Sequence, residues 1–513
     1  MGFESILFSR VEAGLEEPME DPSFFSDLNL DQVGDTLFAG REAYNLRPFF
    51  RIPLHSIDEV AYRHEVLRDI DNVQILTEIT AFADAMRSIR DALAATAKLH
   101  YAHERERWVL DATVRYREGV ERLLLALSEV RIASRGLTAF RDYLADYVAS
   151  APYRALVDDI ASLREKLAAI TYAVVIDGNL LNVREPRGDA DLVVAIHETF
   201  ARFRQGAAKS YLLTFHEQLG MNHIEAKVLE FVALLYPETF AELDRFAEAH
   251  ATFVDTTIER FDREVQFYLA CIEYARRFES AGLPMCFPRA SLSKTVSAED
   301  TFDVALAHRL LEVDGNIIRN DFELRDPERV FVVSGPNQGG KTTFARTFGQ
   351  LQYLAALGCR VAGRSVATFL FDTIFTHFER QEDPSSLHGK LEDDIIRIHE
   401  ILERATTDSV IILNEIFAST TVRDATALAR RIMDRILALD ALCVCVTFID
   451  ELSTLSEKTV SMVSLVDPAN PDIRTYKVAP RKADGLAYAV SLAEKYSLTY
   501  HQLTHRLNGR GHQ

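Results

Sequence analysis

The sequence predicts a multidomain protein of mixed α and α/β architecture. Its 513 residues exceed what one hydrophobic core organises. Between about 48 and 290 apolar residues recur at helical spacing, and from 291 onward short apolar strands alternate with helical stretches, the pattern of a largely parallel sheet.

The first stretch, 1–47, is an acidic leader. Within residues 1–40 Arg10 is the only basic side chain, against Glu4, Glu12, Glu16, Glu17, Glu20, Asp21, Asp27, Asp31 and Asp35. The reading is a solvated, partly mobile segment, with a displaceable acidic cover over a basic surface as the alternative. In the helical region, 48–290, Val120, Leu123, Leu124, Leu127 and Val130 mark one helix face, and Phe261, Val265, Leu269, Ile272 and Phe278 mark another. Long amphipathic helices with few glycines point to levers or bundles. One interruption near 171–184 places Asp177-Gly178-Asn179 between two β-prone runs, a hairpin that is either a projecting arm or a plain surface feature. A further helix start follows at 188–200. The basic residues of HERERW and RYREGVER alternate with acids, so a solvated face is expected and a nucleic-acid stripe is not. Pro284 and Pro288 are expected to end the last long helix, leaving 291–513 as the α/β domain.

Composition narrows the class. At 48% hydrophobic and 26% charged the chain reads as an ordinary globular protein, and no apolar run approaches the roughly eighteen residues that span a bilayer. The N-terminus lacks an export pattern, and Cys271, Cys286, Cys359, Cys443 and Cys445 show no disulfide framework, which together imply a cytoplasmic protein without a membrane partner. Cys443 and Cys445 lie in ALCVCVTF and read as buried strand residues, not metal ligands. A net charge of −20 opposes nonspecific wrapping of nucleic acid, so any such contact needs a local basic patch.

The chemistry concentrates between 330 and 343. A strand, Val330–Val333, runs through Ser334 into Gly335-Pro336-Asn337-Gln338-Gly339-Gly340-Lys341-Thr342, then Thr343 and a helix. This is G-x-x-x-x-G-K-[ST] in the context it requires. The glycines let backbone N–H groups turn inward around phosphate, and the helix start adds its positive dipole end. Lys341 offers a point charge to the β- and γ-phosphates of ATP, and Thr342 a hydroxyl ligand for Mg²⁺. A second strand, Ser409–Leu413, ends at Asn414-Glu415, where Asn414 serves the metal shell without a charge and Glu415 serves as general base or water-orienting group. Glu415 read as a cap on the next helix is the structural alternative. Ser419, Thr420 and Thr421 precede that helix. N-capping explains them fully, and reaching the γ-phosphate of a partner subunit is the functional reading.

These residues together resemble the MutS family of ABC-type ATPases. GPNQGGKTT resembles that family's phosphate loop, Asn320-Asp321 its N-D pair and Gly358-Cys359 its G-C step. ILNEIFASTTVRDATALA, with Asp424, resembles its second acidic strand and signature, Thr447–Leu452 its T-H-x-x-E-L turn, and ADGLAYAVSLAEKYSL its tail. The likeness runs over roughly 300–500. A weaker one covers FFRIPLHSIDEVAYRHEVLRDI, where Pro53, Ile57 and Arg63 fall on positions that recur at the start of the family's core domain. The resemblance implies a core, lever and shortened clamp ahead of a P-loop ABC-type ATPase domain. It also implies a homodimer with two composite sites in which Ser419, Thr420 and Thr421 act in trans, Mg²⁺-dependent ATP hydrolysis, and branched or distorted DNA as partner. Four departures bear on this. Asn414 replaces the metal-shell acid, Phe417-Ala418-Ser419 and Ala425 alter the signature, and Phe448 stands where the γ-phosphate-sensing histidine belongs. The chain also starts at the core domain, without a Phe-x-Glu wedge in context or a nuclease tail, so mismatch reading and strand cutting are not expected. Two rivals follow: an ATP-gated clamp with little hydrolysis, from Asn414 and Phe448, and an ATPase that grips a protein, from the −20 charge.

Overall fold

A computed structural model describes residues 3–10, 19–178, 180–187, 220–379, 389–417, 419–467, 469, 473–483, 500 and 504. Asn179, the helix start at 188–200, Ala418 and the tail motif beyond residue 483 lie outside the described residues. The chain forms two compact units. Unit 1 comprises Met1–Phe3, Asn72–Ile132 and Leu137–Asp262, and unit 2 comprises Glu4–Asp71, Ala133–Gly136 and Arg263–Gln513.

Unit 2 begins with α1 (Phe24–Leu28), α2 (Leu30–Leu37), α3 (Arg47–Arg51) and α4 (Ile57–Ile70). The reading of the leader as solvated is corrected here. Its acids are spaced by Phe25, Leu28, Leu30, Val33 and Leu37, all of which are buried. Asn29 turns the chain between α1 and α2 in the left-handed region, and the Phe25 ring meets Phe50 and Tyr353 edge-on at 5.6 and 5.2 Å. Of the leader's described acids Glu4, Glu20, Asp21 and Asp35 are exposed, Asp21 pairing with Arg51 at 2.7 Å, whereas Asp27 and Asp31 are half-buried.

Unit 1 holds α5 (Val73–Thr96), α6 (Ala102–Glu129), most of α7 (Arg135–Ala149), α8 (Ala151–Ala168), the hairpin β1 (Ala173–Asp177) and β2 (Leu180–Arg184), α9 (His223–Leu235) and α10 (Pro237–Ala249), and α11 (Thr256–Ser280) begins in it. Asn222 and Glu225 form a capping box at the start of α9. Leu110, Ile160, Leu163, Phe240, Leu243 and Phe246 share one core cluster. Val120, Leu123 and Leu127 are buried, as the periodicity predicts, and Leu124 and Val130 are partly so. Mixed-sign helix faces pair their charges locally, as Arg107 does with Asp111 at 2.9 Å and Arg122 with Glu78 at 2.6 Å.

α11 does not wait for the prolines. It ends at Ser280 because Gly282, at φ +75, lets the Leu283 N–H reach Phe278 O at 3.0 Å and the Gly282 N–H reach Glu279 O at 2.9 Å.

Unit 2 then continues with β3 (Met285–Cys286), β4 (Arg289–Ser291), β5 (Val296–Thr301), α12 (Val304–Leu311), β6 (Asn320–Leu324), β7 (Val330–Ser334), α13 (Lys341–Ala356), β8 (Val361–Ala362), β9 (Ser365–Phe369), β10 (Ile374–Phe378), α14 (Lys390–Arg404), β11 (Val410–Asn414), α15 (Val422–Leu439), β12 (Leu442–Val446), β13 (Thr459–Val466) and β14 (Arg474–Pro480). The main sheet has the order β10-β11-β12-β7-β13-β14, parallel except for the antiparallel edge β14. Central strands covered on both faces read as unbroken apolar runs, which is why β7, β11 and β12 are buried along their whole length. Cys443 and Cys445 lie in that buried β12, and burial pushes both thiols up, Cys445 to about 12. A second sheet has the order β4-β9-β5-β6.

The far end of α13 is fixed by a glycine turn and a buried arginine. The Cys359 N–H donates to Leu354 O at 3.1 Å and the Gly358 N–H to Ala355 O at 3.0 Å, with Gly358 at φ +69. Arg63, fully buried, donates to Leu357 O and to Leu7 O, each at 2.9 Å. A Cβ at position 358 would lie 2.7 Å from Arg63 Cβ. Gly358→Ala therefore combines left-handed strain with overpacking, and is expected to lower stability by about 2–4 kcal/mol, read as an earlier unfolding transition of unit 2 in urea.

Candidate functional site

The loop after β7 is shaped by positive-φ residues: Gly335 at +117°, Gln338 at +58° and Gly340 at +94°. Two glycines are needed for space as well. A Cβ on Gly335 would come within 2.9 Å of the Ser464 carbonyl, and one on Gly339 would collide with Ser464 Oγ while lying 2.9 Å from Pro336 O. The loop thus sits directly on β13. α13 starts at Lys341, so its first N–H groups have no partner within the helix and present a positive end to the loop.

Lys341 is 5% exposed, and its ammonium donates to Gly335 O at 3.1 Å, Pro336 O at 3.2 Å and Asn337 Oδ1 at 3.3 Å. Burial holds its pKa below the usual lysine value, and the Glu415 carboxylate at 3.7 Å opposes that shift. Thr342 Oγ1 donates to Asn414 Oδ1 at 2.9 Å, joining the helix start to the end of β11. Asn414 is buried, while Glu415 is a third exposed, at φ +56 with its N–H donating to Val446 O at 2.9 Å. Lys341, Thr342, Asn414 and Glu415 therefore meet in one place. Thr343 lies in the first turn of α13, its carbonyl accepting from Thr347 Oγ1.

Ser419, Thr420 and Thr421 do not join them. Thr421 caps α15, accepting from the Asp424 N–H at 3.3 Å and donating to Asp424 Oδ2 at 2.8 Å. Among the described residues no hydrogen bond links these three to the phosphate loop of their own chain. Phe417, at φ +61, is buried, whereas Phe448 beyond β12 is half exposed.

Two residues at the site escaped the sequence reading. Ser464 supports the loop from β13, and Tyr476, on β14 at φ +57, is half exposed with its Cα 3.6 Å from where a Cβ of Gly340 would lie. Asn320 ties this strand down: its side chain donates to Tyr476 O at 3.4 Å and accepts from the Val478 N–H at 2.8 Å. No local motif marks either residue; only the pairing of β13 with β7 and β14 brings them in. Elsewhere, in unit 1, His103, Glu106 and Asp244 bring ligand atoms within 4.8 Å of one another, with His103 and Glu106 hydrogen-bonded at 2.9 Å.

The donor set at Thr342 and Asn414 is a hydroxyl and an amide oxygen, hard and neutral. It suits Mg²⁺, a cation that retains several waters and takes further oxygens from phosphate.

The comparison with known families decides what this geometry resembles. Residues 331–500 match the model for MutS domain V. The likeness to MutS proteins thus covers residues 331–500 and, in the relatives below, 35% to 55% of the chain. A DNA mismatch repair protein MSH3 from Yarrowia lipolytica is 30% identical over 182 residues, 35% of this chain and 18% of that protein. An Endonuclease MutS2 from Leuconostoc mesenteroides is 26% identical over 208 residues, 39% of this chain and 26% of that one. A DNA mismatch repair protein MutS from Zymomonas mobilis is 23% identical over 319 residues, 55% of this chain and 36% of that one. The chain thus matches well under half the length of these relatives. No helix among the described residues is long and apolar enough to cross a membrane.

Because burial lowers the Lys341 pKa, its charged form is lost at a lower pH than that of a free lysine. Nucleotide affinity should fall as pH rises into the alkaline range. Glu415→Gln removes the carboxylate that opposes the shift and should move this fall to lower pH. Calorimetric titration of ATP across neutral to alkaline pH reads both.

Proposed function

We propose that this protein is a MutS-like, DNA-binding ATPase in which ATP bound at a dimer interface changes the grip on DNA, branched or distorted rather than mismatched. The observation that carries the reading is the convergence of Lys341, Thr342, Asn414 and Glu415 on one glycine-built loop at a helix start. The domain model matched is the ATPase domain of its family.

In this reading the backbone N–H groups of residues 337–342 receive the phosphates, and Lys341 exchanges its loop carbonyls for the β- and γ-phosphate oxygens. Thr342 and Asn414 hold Mg²⁺, which supplies neutralisation of charge on the phosphates. Glu415 orients a water and accepts its proton. The positive φ at Glu415 projects its side chain from the end of β11, beside the Lys341 ammonium that orders it. The half-exposed ring of Tyr476 is the aromatic surface set beside the loop for a purine base. Ser419, Thr420 and Thr421, exposed or half-exposed at the start of α15, serve the partner's γ-phosphate in a homodimer. Residues 48–290 act as core, lever and shortened clamp, and 291–513 as the ATPase domain.

A second reading is favoured by two particulars. Asn414 brings no negative charge to the metal shell, and Phe448 presents a ring with no proton to donate. Together they fit an ATP-gated clamp with little hydrolysis. Phosphate release by wild type and Glu415→Gln decides between them. Loss of a positioned base should slow turnover at least about 100-fold with nucleotide binding retained, whereas tight binding with no turnover in either protein supports the clamp. Gel shifts on duplex and junction DNA with ATP, at low and raised salt, test the partner: salt-sensitive binding is expected, and no binding at low salt removes DNA from the account.

A further inference from the structure

Ser464 lies one residue past the point where β13 pairs with the end of β7, through Val463 and Ser334. It is fully buried in β13, TVSMVSLV, between the apolar Val463 and Leu465. Its hydroxyl donates to Gly339 O at 2.6 Å. Its backbone closes from beneath on Gly335, where a Cβ would meet Ser464 O at 2.9 Å and Ser464 N at 3.1 Å. On its other side Ser464 pairs with Val478 of β14, the residue whose N–H is held by Asn320. A break in register follows between Ser464 and Val466, so Ser464 is the last regularly placed residue before the strand departs.

A trans peptide unit points its carbonyl and its N–H in opposite directions. Holding the Gly339 carbonyl toward the sheet therefore sends the Gly340 N–H the other way, into the hollow of the loop. Gly339 and Gly340 carry no side chain to enforce that orientation themselves, and both have wide conformational freedom. The hydroxyl of Ser464 is the group that selects one orientation out of several.

We propose that Ser464 is a positioning residue of the phosphate loop, setting the Gly340 amide for a polyphosphate nucleotide and so tuning affinity for it. This rests on the nucleotide reading given above. The same contact also satisfies a buried carbonyl, so the test must separate loop alignment from stability.

Ser464→Ala removes the donor, and Ser464→Cys is a near-isostere with a far weaker one. Both are expected to weaken ATP and ADP, titrated with Mg²⁺ by calorimetry, by about two- to tenfold, the worth of one buried hydrogen bond. The loss should fall mainly on KM and not on kcat, and Ser464→Thr, which keeps the hydroxyl, should recover affinity. Melting of each variant without nucleotide supplies the stability control. Wild-type affinity in folded Ser464→Ala or Ser464→Cys would overturn the proposal while leaving the nucleotide reading intact. Absence of ATP and ADP binding by the wild-type protein would sink both.

Discussion

The proposed nucleotide site depends on one close approach, that of the β13 backbone to the loop between β7 and α13. Glycine at 335 and 339 is there because any side chain would strike Ser464, and glycine at 340 because φ is +94°. These requirements explain more than loop flexibility does. A loop that rests on a strand of the central sheet has its amides aimed by the sheet, so the proposed phosphate grip would be pre-organised by that packing. Strand order supplies the other wall. With β12 between β7 and β11, the end of β11 delivers Asn414 and Glu415 to the start of α13.

Charge is distributed sparingly over this frame. Lys341 is buried against neutral carbonyls, with Glu415 as the carboxylate at 3.7 Å, and the contact between Thr342 and Asn414 is between neutral groups. On the proposed reading, replacing an acid by Asn414 would strengthen the pull on phosphate and weaken the pull on the metal, compared with a strand ending in two acids. Metal affinity must then lean on the phosphate oxygens themselves.

Legibility in the sequence tracked how local each feature is. The strand, glycine-rich turn and helix over 330–356 are readable because the glycines, lysine and threonine are adjacent and flanked by an apolar strand and a helix. The faces of α6 and α11 were readable from spacing, since Val120, Leu123, Phe261 and Val265 are buried where periodicity puts them. The leader misled because net charge was weighed above the spacing of Phe25, Leu28 and Val33, which fold it as helices into unit 2. Pro284 drew attention from Gly282, whose left-handed turn is what ends α11. Ser464 and Tyr476 were invisible because they reach the loop through strand register, more than a hundred residues along the chain from it.

The most direct test is a crystal structure with Mg²⁺ and a non-hydrolysable ATP analogue. The account predicts phosphates enclosed by the N–H groups of residues 337–342, with the Lys341 ammonium moved from the Gly335 and Pro336 carbonyls onto phosphate oxygen. An analogue bound elsewhere, with Lys341 still on those carbonyls, would contradict it.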